Sequence, residues 1–246
     1  MKIHRFLIAD DLVPQSNLVL RDAGIIRRIK TVLRLREGEV IVLFNDRGQE
    51  ARARIASMSV DQVMCRIDQV SRRLADAPIV VTVYCAILKR ENFEWVAQKI
   101  TEIGAQALVP CLTARTVKQR IVPERIAAIM REAAEQSGRA TIPLLRAPVS
   151  FSDALDAALA GGGACILFDP RGLALETSAH QVAAKNGINI FIGPEGGWSE
   201  EEYAHARERG VRIVSLGGTV LRAETAAIVG AYLAVWGSGE VRDKTI

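Results

Sequence analysis

The sequence predicts an α/β protein in which a smaller β-rich domain precedes a larger, largely parallel one. Three observations carry this expectation. From Ile79 onward, apolar strand-like runs alternate with helix-like runs, the pattern of a parallel sheet with helices on its faces. Before that point the chain is strand-rich, with one short helical stretch. Between the two, Ser71-Arg-Arg-Leu-Ala-Asp-Ala-Pro78 is polar, ends in proline and reads as a linker. The expected division is 1–73 and 74–246, within a chain of 246 residues that can bury a substantial core.

In the first part, Ala23–Arg34 has helical spacing, with Ile25, Ile29, Val32 and Leu33 on one side and basic residues on the other. Glu39–Phe44, the turn Asn45–Gly48 and the alternating run Glu50–Ser57 read as a hairpin, and Val60–Val70 as a further strand. In the second part, Ile79–Leu88 is a nearly continuous apolar run, as expected of a strand covered on both faces. A helix follows over Glu91–Ile103 and closes at Gly104; Ala107–Leu112 is a strand; Pro123–Ser137 is a helix with proline at its start and Gly138 past its end. Helices are then expected at Phe151–Leu159, Ser178–Lys185, Ser199–Arg209 and Ala223–Trp236, and strands at Ala164–Phe168, Ile188–Ile192 and Val211–Leu216.

Bulk properties narrow the function classes. Hydrophobic residues make up 49% and charged residues 24%, the balance of a folded chain rather than a disordered one. No apolar run approaches the roughly 18 residues of a membrane span. With Asp10 and Asp11 close behind the first residues, no signal peptide is expected there, and the chain reads as cytoplasmic. Cys65, Cys85, Cys111 and Cys165 lie far apart in apolar runs, which points to buried free thiols. Neither they nor His4, His180 and His205 show metal-ligand spacing, so no metal is expected. Residues 1–73 carry 14 Lys/Arg against 9 Asp/Glu, and Arg115–Arg146 holds seven basic residues against three acidic, a distribution that suits either a polyanionic partner or a solvated basic surface.

Two glycine-rich turns carry the strongest functional signal. Phe191-Ile-Gly-Pro-Glu-Gly-Gly-Trp-Ser-Glu-Glu-Glu202 follows one strand, and Leu216-Gly-Gly-Thr-Val-Leu-Arg-Ala-Glu-Thr-Ala226 follows the next. Glycine permits positive φ and close backbone approach, and open α/β sheets bind ligands beyond the carboxyl ends of their strands. Ser199 and Glu202 form a capping-box pattern and belong to folding. Neither turn has the spacing of a dinucleotide-binding or P-loop fingerprint, which disfavours both of those classes. Glu224 suits a helix N-terminus; Arg222 does not, and is a candidate for an anionic or electron-rich substrate group. Lys99 with Glu102, Glu132 with Gln136 and Glu135 with Arg139 have the spacing of ordinary helix-surface pairs.

Taken together, Gln98-Lys99…Glu102-Ile-Gly104, Glu132-Ala-Ala-Glu-Gln-Ser-Gly-Arg139, Ile192-Gly-Pro-Glu-Gly-Gly197 and Leu221-Arg-Ala-Glu-Thr-Ala226 resemble the RsmE family of the SPOUT superfamily. These are bacterial 16S rRNA uridine-N3 methyltransferases. His4-Arg5-Phe6 and Val32-Leu33-Arg34 resemble the family's N-terminal signatures. The resemblance implies a PUA-like β-barrel over 1–73 that binds RNA, and a SPOUT-type trefoil-knotted α/β domain over 74–246. It also implies a homodimer, S-adenosyl-L-methionine as methyl donor, and N3 of a uridine in the decoding region of the small ribosomal subunit as acceptor. By position, the cofactor-holding loops are Leu167–Arg171, Ile192–Gly197 and Leu216–Leu221, with Leu167, Phe168, Ile192, Gly193, Pro194, Glu195, Gly196, Gly197, Leu216, Gly217 and Leu221 as contacts. The chain departs from the family's common Leu-Gly-x-Arg by carrying Thr219, so no cationic contact is expected from that position.

For methyl transfer to a uridine N3, Arg222 is the expected cation, and Glu195 or Glu224 the expected proton acceptor. RNA contacts are expected from His4, Arg5, Arg34, Lys99, Arg115, Lys118, Gln136 and Arg139, with Arg27, Arg28 and Lys30 completing a basic barrel surface. Two other readings stay open. One is a non-catalytic RNA-binding or ribosome-assembly factor; the other is a SPOUT methyltransferase acting on a different nucleotide.

Overall fold

The computed structural model describes residues 3–72, 79–116, 121–174 and 186–236. The chain forms two compact units, Met1–Asp76 with Ala134–Thr141, and Ala77–Ala133 with Ile142–Ile246. The first unit therefore takes in a segment that the sequence division assigns to the second domain. Of the expected linker, Ser71 and Arg72 still belong to a strand and 73–78 lie outside the described residues, as do the expected helix Ser178–Lys185 and Lys118.

The first unit is a curled five-stranded sheet. Its strands are β1 (Arg5–Leu7), β2 (Asn17–Leu20), β3 (Val40–Phe44), β4 (Gln49–Met58) and β5 (Val63–Arg72), in the order β1-β3-β4-β5-β2. Strand β1 runs parallel to β3, and the other pairs are antiparallel. Along β4, Ala51, Ala53 and Ile55 are buried while Arg52 and Arg54 are exposed, the period of two of a half-buried strand. Two register shifts between β4 and β5 bend the sheet, as bulges do. The hairpin turn is tied by Asn45, whose Oδ1 accepts from the amides of Arg47 and Gln49, each at 3.1 Å.

The helical stretch begins as expected but does not stay regular. Asp22 caps α1 (Ala23–Arg27) by accepting from the Ile25 amide at 2.9 Å. The chain then widens into a π-helical turn over Arg28–Val32, and Arg34 takes φ 54°. Widening lets the run continue past Arg28 while Ile29 stays in the core.

In the second unit the strands are β6 (Val81–Ala86), β7 (Ala107–Leu112), β8 (Leu144–Leu145), β9 (Val149–Ser150), β10 (Ala164–Ala174), β11 (Ile188–Ile192) and β12 (Arg212–Ser215). They form a parallel sheet in the order β12-β10-β11-β6-β7-β8, with β9 beside β7. The helices are α2 (Arg90–Ile103), α3 (Pro123–Ser137), α4 (Phe151–Ala160), α5 (Glu200–Glu208) and α6 (Ala223–Trp236). Gly104 ends α2 with φ 118°, a left-handed cap that a side chain would oppose.

Strand alternation builds a core on each face. Val81, Val83 and Cys85 of β6 with Ile188, Ile190 and Ile192 of β11 pack with Val96 and Ile100 of α2 and Ala227 and Ala231 of α6. The intervening Tyr84 and Phe191 stack on the opposite face, where α4 contributes Phe151 and Leu155 and α5 contributes Ala206. Both faces are covered, which explains the uninterrupted apolar strands in the sequence. At the far end of α6, the Trp236 indole donates to the Ile103 carbonyl at 3.0 Å. No helix among the described residues is long and apolar enough to cross a membrane.

Candidate active site at the strand ends

A cavity of about 600 Å³ opens beyond the carboxyl ends of β6, β10, β11 and β12, entirely within the second unit. Such a position is where an open parallel sheet leaves room between diverging loops. Three loops enclose it. Phe168, Asp169 and Pro170 come from β10, the run Ile192–Trp198 from β11, and Ser215, Leu216 and Thr219–Glu224 from β12 and the start of α6. Lys89 and Asn92 close the side next to β6.

Each loop has its own reason for being where it is. Phe168 pairs with Val214, and five residues later Leu173 pairs with Val214 again, so Asp169–Gly172 leaves the strand as an excursion. Arg171 pins that excursion by donating to both oxygens of Asp169, at 2.9 and 3.1 Å, and to Glu200 at 2.8 Å, while its guanidinium lies 4.0 Å from the centre of the Tyr203 ring. The Asp169 hydrogen bonds raise the Arg171 pKa above its ordinary value. A Cβ at Gly172 would stand 2.6 Å from the amide nitrogen of Val214, so only glycine fits there.

The second loop turns tightly, with the Gly197 amide donating to the Pro194 carbonyl at 2.9 Å and Gly197 at φ 70°. Arg115 steadies it from outside, donating to the Gly196 carbonyl at 2.8 Å. Behind the loop stands Trp198, only 2% exposed. Its indole packs over Gly193, tilts against Phe151 at 4.9 Å and donates to the Phe168 carbonyl at 3.1 Å. The expected capping box is present: Ser199 accepts from the Glu202 amide at 3.2 Å, and Glu202 accepts in return from the Ser199 amide at 2.9 Å. The other Glu202 oxygen accepts from the Ala114 amide at 2.8 Å.

The third loop delivers charge. Arg222 is the N-cap of α6, its carbonyl accepting from the Ala226 amide at 2.8 Å, and its side chain is exposed with no partner among the described residues. Glu224, in the first turn of α6, is 4% exposed, and its Oε2 has no hydrogen-bond partner among the described residues. Glu195 is exposed at the rim, where its Oε1 accepts from the Lys89 amide at 3.3 Å.

Of the residues that the sequence nominates for the cofactor, Phe168, Ile192, Gly193, Pro194, Glu195, Gly196, Gly197, Leu216 and Leu221 line this cavity, as do the nominated catalytic residues Arg222, Glu195 and Glu224. Leu167 does not: alternation along β10 turns it to the opposite face, into the cluster with Phe191 and Trp198. Gly217 is likewise outside the lining. Asp169, inside the expected loop Leu167–Arg171, lines it too, and Trp198 and Lys89 line it from outside the expected loops; for Trp198 the available signal is its place directly after the first glycine turn.

The residues nominated for RNA divide by exposure. Arg34 and Gln136 are exposed and His4 is half-buried. Arg139 is 4% exposed, and Arg5 donates to Glu50 at 2.9 Å and to the Arg139 carbonyl at 3.1 Å while lying over the Phe44 ring. Arg28 pairs with the buried Glu135, which also accepts from the Leu7 amide at 3.0 Å. These arginines hold the first unit together internally. In the second unit, Lys99 pairs with Glu102 at 2.8 Å, and Arg115 is engaged by Gly196 as described.

Known proteins share this arrangement. The profile of an RNA methyltransferase domain matches residues 75–235, and that of an RNA methyltransferase PUA domain matches 29–68. The chain is 30% identical over 214 residues to ribosomal RNA small subunit methyltransferase E of Bacillus subtilis, covering 82% of this chain and 84% of the relative. It is 34% identical over 212 residues to the protein of the same name from Mycobacterium bovis, covering 81% and 79%. A crystal structure of ribosomal RNA small subunit methyltransferase E from Neisseria gonorrhoeae, bound to S-adenosyl methionine, superposes with a TM-score of 0.84 at 28% identity, covering 94% of this chain and 95% of that one. With these matches, and with a PUA-like unit preceding in sequence a parallel sheet that gathers three loops at its strand ends, the chain belongs to the ribosomal RNA small subunit methyltransferase E family of SPOUT-type enzymes.

Proposed function

We propose that this chain transfers a methyl group from S-adenosyl-L-methionine to N3 of a uridine in the decoding region of 16S rRNA. It does so as a cytoplasmic homodimer, on rRNA presented within the small ribosomal subunit. The observation that carries the reading is the cavity itself, which joins a backbone-rich wall to an exposed Arg222 that has no partner among the described residues.

The residues fit the donor. A volume of about 600 Å³ suits a nucleoside-sized ligand. The Gly193–Gly197 turn offers backbone at close range, Phe168 offers an aromatic wall, and Oε2 of Glu224, with no partner among the described residues, is available to a bound group. Ile192–Gly197, Leu216, Leu221 and Phe168 would hold it. When bound, the donor supplies a methyl group already activated on a sulfonium, so the protein's contribution is chiefly positioning.

Uridine N3 carries a proton at neutral pH and becomes nucleophilic as that proton leaves. Arg222 stabilises the negative charge that develops on the uracil ring. Glu195, exposed at the rim of the cavity, is the carboxylate placed to meet an incoming base and take up its proton. The target base must leave its stack to reach the cavity. We assign residues 1–73 as the RNA-binding module, with exposed Arg27 and Arg34 tracking phosphates and Arg5, Arg28 and Arg139 serving as its internal frame.

Arg222→Ala tests the assignment. Turnover is expected to fall by about 10²–10³-fold, the cost of losing a charge-stabilising donor, with donor affinity held within a few-fold. Equal losses in turnover and donor affinity contradict the role given to Arg222.

A further inference from the structure

We propose that Glu224 is the counter-charge for the sulfonium centre of the methyl donor, and that it lets the cavity distinguish the charged donor from its neutral thioether product. The inference rests on the reading of this cavity as the methyl-donor site.

Five charged side chains line the cavity, and they are not equivalent. Lys89, Glu195 and Arg222 are exposed, so water already solvates them. Asp169 is buried, but both of its oxygens are taken by Arg171. Of the five, Glu224 alone combines burial, at 4% exposure, with an oxygen that has no hydrogen-bond partner among the described residues. A carboxylate withdrawn from water without a partner is unfavourable. Its place in the first turn of α6 offsets part of that cost through the helix dipole, yet no backbone N–H reaches Oε2. A cation arriving in the cavity completes the site.

The position in the chain selects which cation. Glu224 stands two residues after Arg222, and both line the cavity. If Arg222 faces the acceptor base, the positive centre nearest to Glu224 is the one that carries the transferred methyl group. A sulfonium has no N–H or O–H to direct, so it needs an anion nearby rather than a specific hydrogen-bond geometry. The flanking lining residues Ala223 and Ala226 supply no competing donor side chain. Loss of the methyl group removes the sulfonium charge and leaves Glu224 without its partner, which favours release of the product.

The test is calorimetry on the full chain with S-adenosylmethionine and S-adenosylhomocysteine, for the wild type and Glu224→Gln. The expected result is that Glu224→Gln weakens S-adenosylmethionine binding by about tenfold or more and leaves S-adenosylhomocysteine within about twofold. Equal weakening of both, or of neither, overturns the assignment, because adenine, ribose and ammonium are common to the two ligands. If the wild type binds neither, the reading of the cavity fails and the inference fails with it. Should Glu224→Gln not fold, the wild type carries the test with sinefungin, which has a protonated amine where the donor has its sulfonium. It is expected to bind about tenfold more tightly than S-adenosylhomocysteine, and equal affinity overturns the proposal.

Discussion

The indole nitrogen of Trp198 donates to the carbonyl of Phe168 at 3.1 Å, tying the loop after β11 to the end of β10 on the wall of the cavity. Trp198→Phe keeps an aromatic ring against Gly193 but strands a buried carbonyl. It is expected to cost about 1–3 kcal/mol of stability and to weaken donor binding as the two loops loosen. Thermal unfolding with and without donor measures both, and unchanged values in both would show that the bond holds nothing.

Phe168 is pressed from the other side by Gly230 of α6, where an added Cβ would stand 2.6 Å from the ring edge. Helix propensity alone would have Gly230→Ala stabilise α6 by about 1 kcal/mol. The contact predicts the opposite sign, a loss of about 1–3 kcal/mol by overpacking, with reduced donor affinity as Phe168 shifts. A rise in melting temperature would show that propensity wins and that the ring moves freely.

Glu135 anchors the first unit through Arg28 and the Leu7 amide, and it is 5% exposed. Glu135→Ala is expected to destabilise that unit by roughly 2–4 kcal/mol, since a charge and an amide both lose their partner. Gln136→Ala, next in sequence and exposed, is expected to stay within about 0.5 kcal/mol. Limited proteolysis of the two variants checks the contrast, and equal susceptibility would refute it.

Burial pushes the Cys65 thiol up to about 11 and Cys111 to about 12. In the unfolded chain both ionise near pH 9, so unfolding is favoured as pH rises. Their contribution to stability is complete below about pH 9 and declines from there toward 11 and 12. The wild type is expected to lose melting temperature above pH 9, and Cys65→Ala with Cys111→Ala to flatten that decline. An identical decline in the double variant would assign the alkaline loss to other groups.

Much of the second unit was legible because its strands are covered on both faces and its helices carry clear end signals. Ala107–Leu112, Pro123–Ser137 and Ile188–Ile192 have the expected bounds. Strands β1, β2, β8 and β9 have two to four residues each, too few for periodicity to register. The π-helical turn was hidden because spacing over Ala23–Arg34 does not distinguish it from a regular helix.

At the site, two loops were visible as glycine turns, whereas the third rested on family resemblance. Asp169–Gly172 lies past the expected strand Ala164–Phe168, and only the register with β12 shows that the chain rejoins the sheet at Leu173. Arginine was the least readable residue. Composition marked Arg5, Arg115 and Arg139 as cations for a partner, but Arg5 and Arg115 are met inside the fold by residues distant in sequence, Glu50 and Gly196, and Arg139 is buried. Arg222 stood out for the converse reason, that a cation at a helix N-terminus has no local rationale, and it lines the cavity.

The most direct measurement is to incubate the purified chain and S-adenosylmethionine with small ribosomal subunits from a strain lacking this gene, and to map the 16S rRNA by mass spectrometry and primer extension. The account predicts one added methyl group on a single uridine of the decoding region, with a primer-extension stop because N3 lies on the pairing edge. It also predicts that the initial rate of modification falls by about 10²–10³-fold with Arg222→Ala. A methyl group elsewhere on the base or ribose, which leaves primer extension unblocked, or no methylation by a chain that binds the donor, would contradict it.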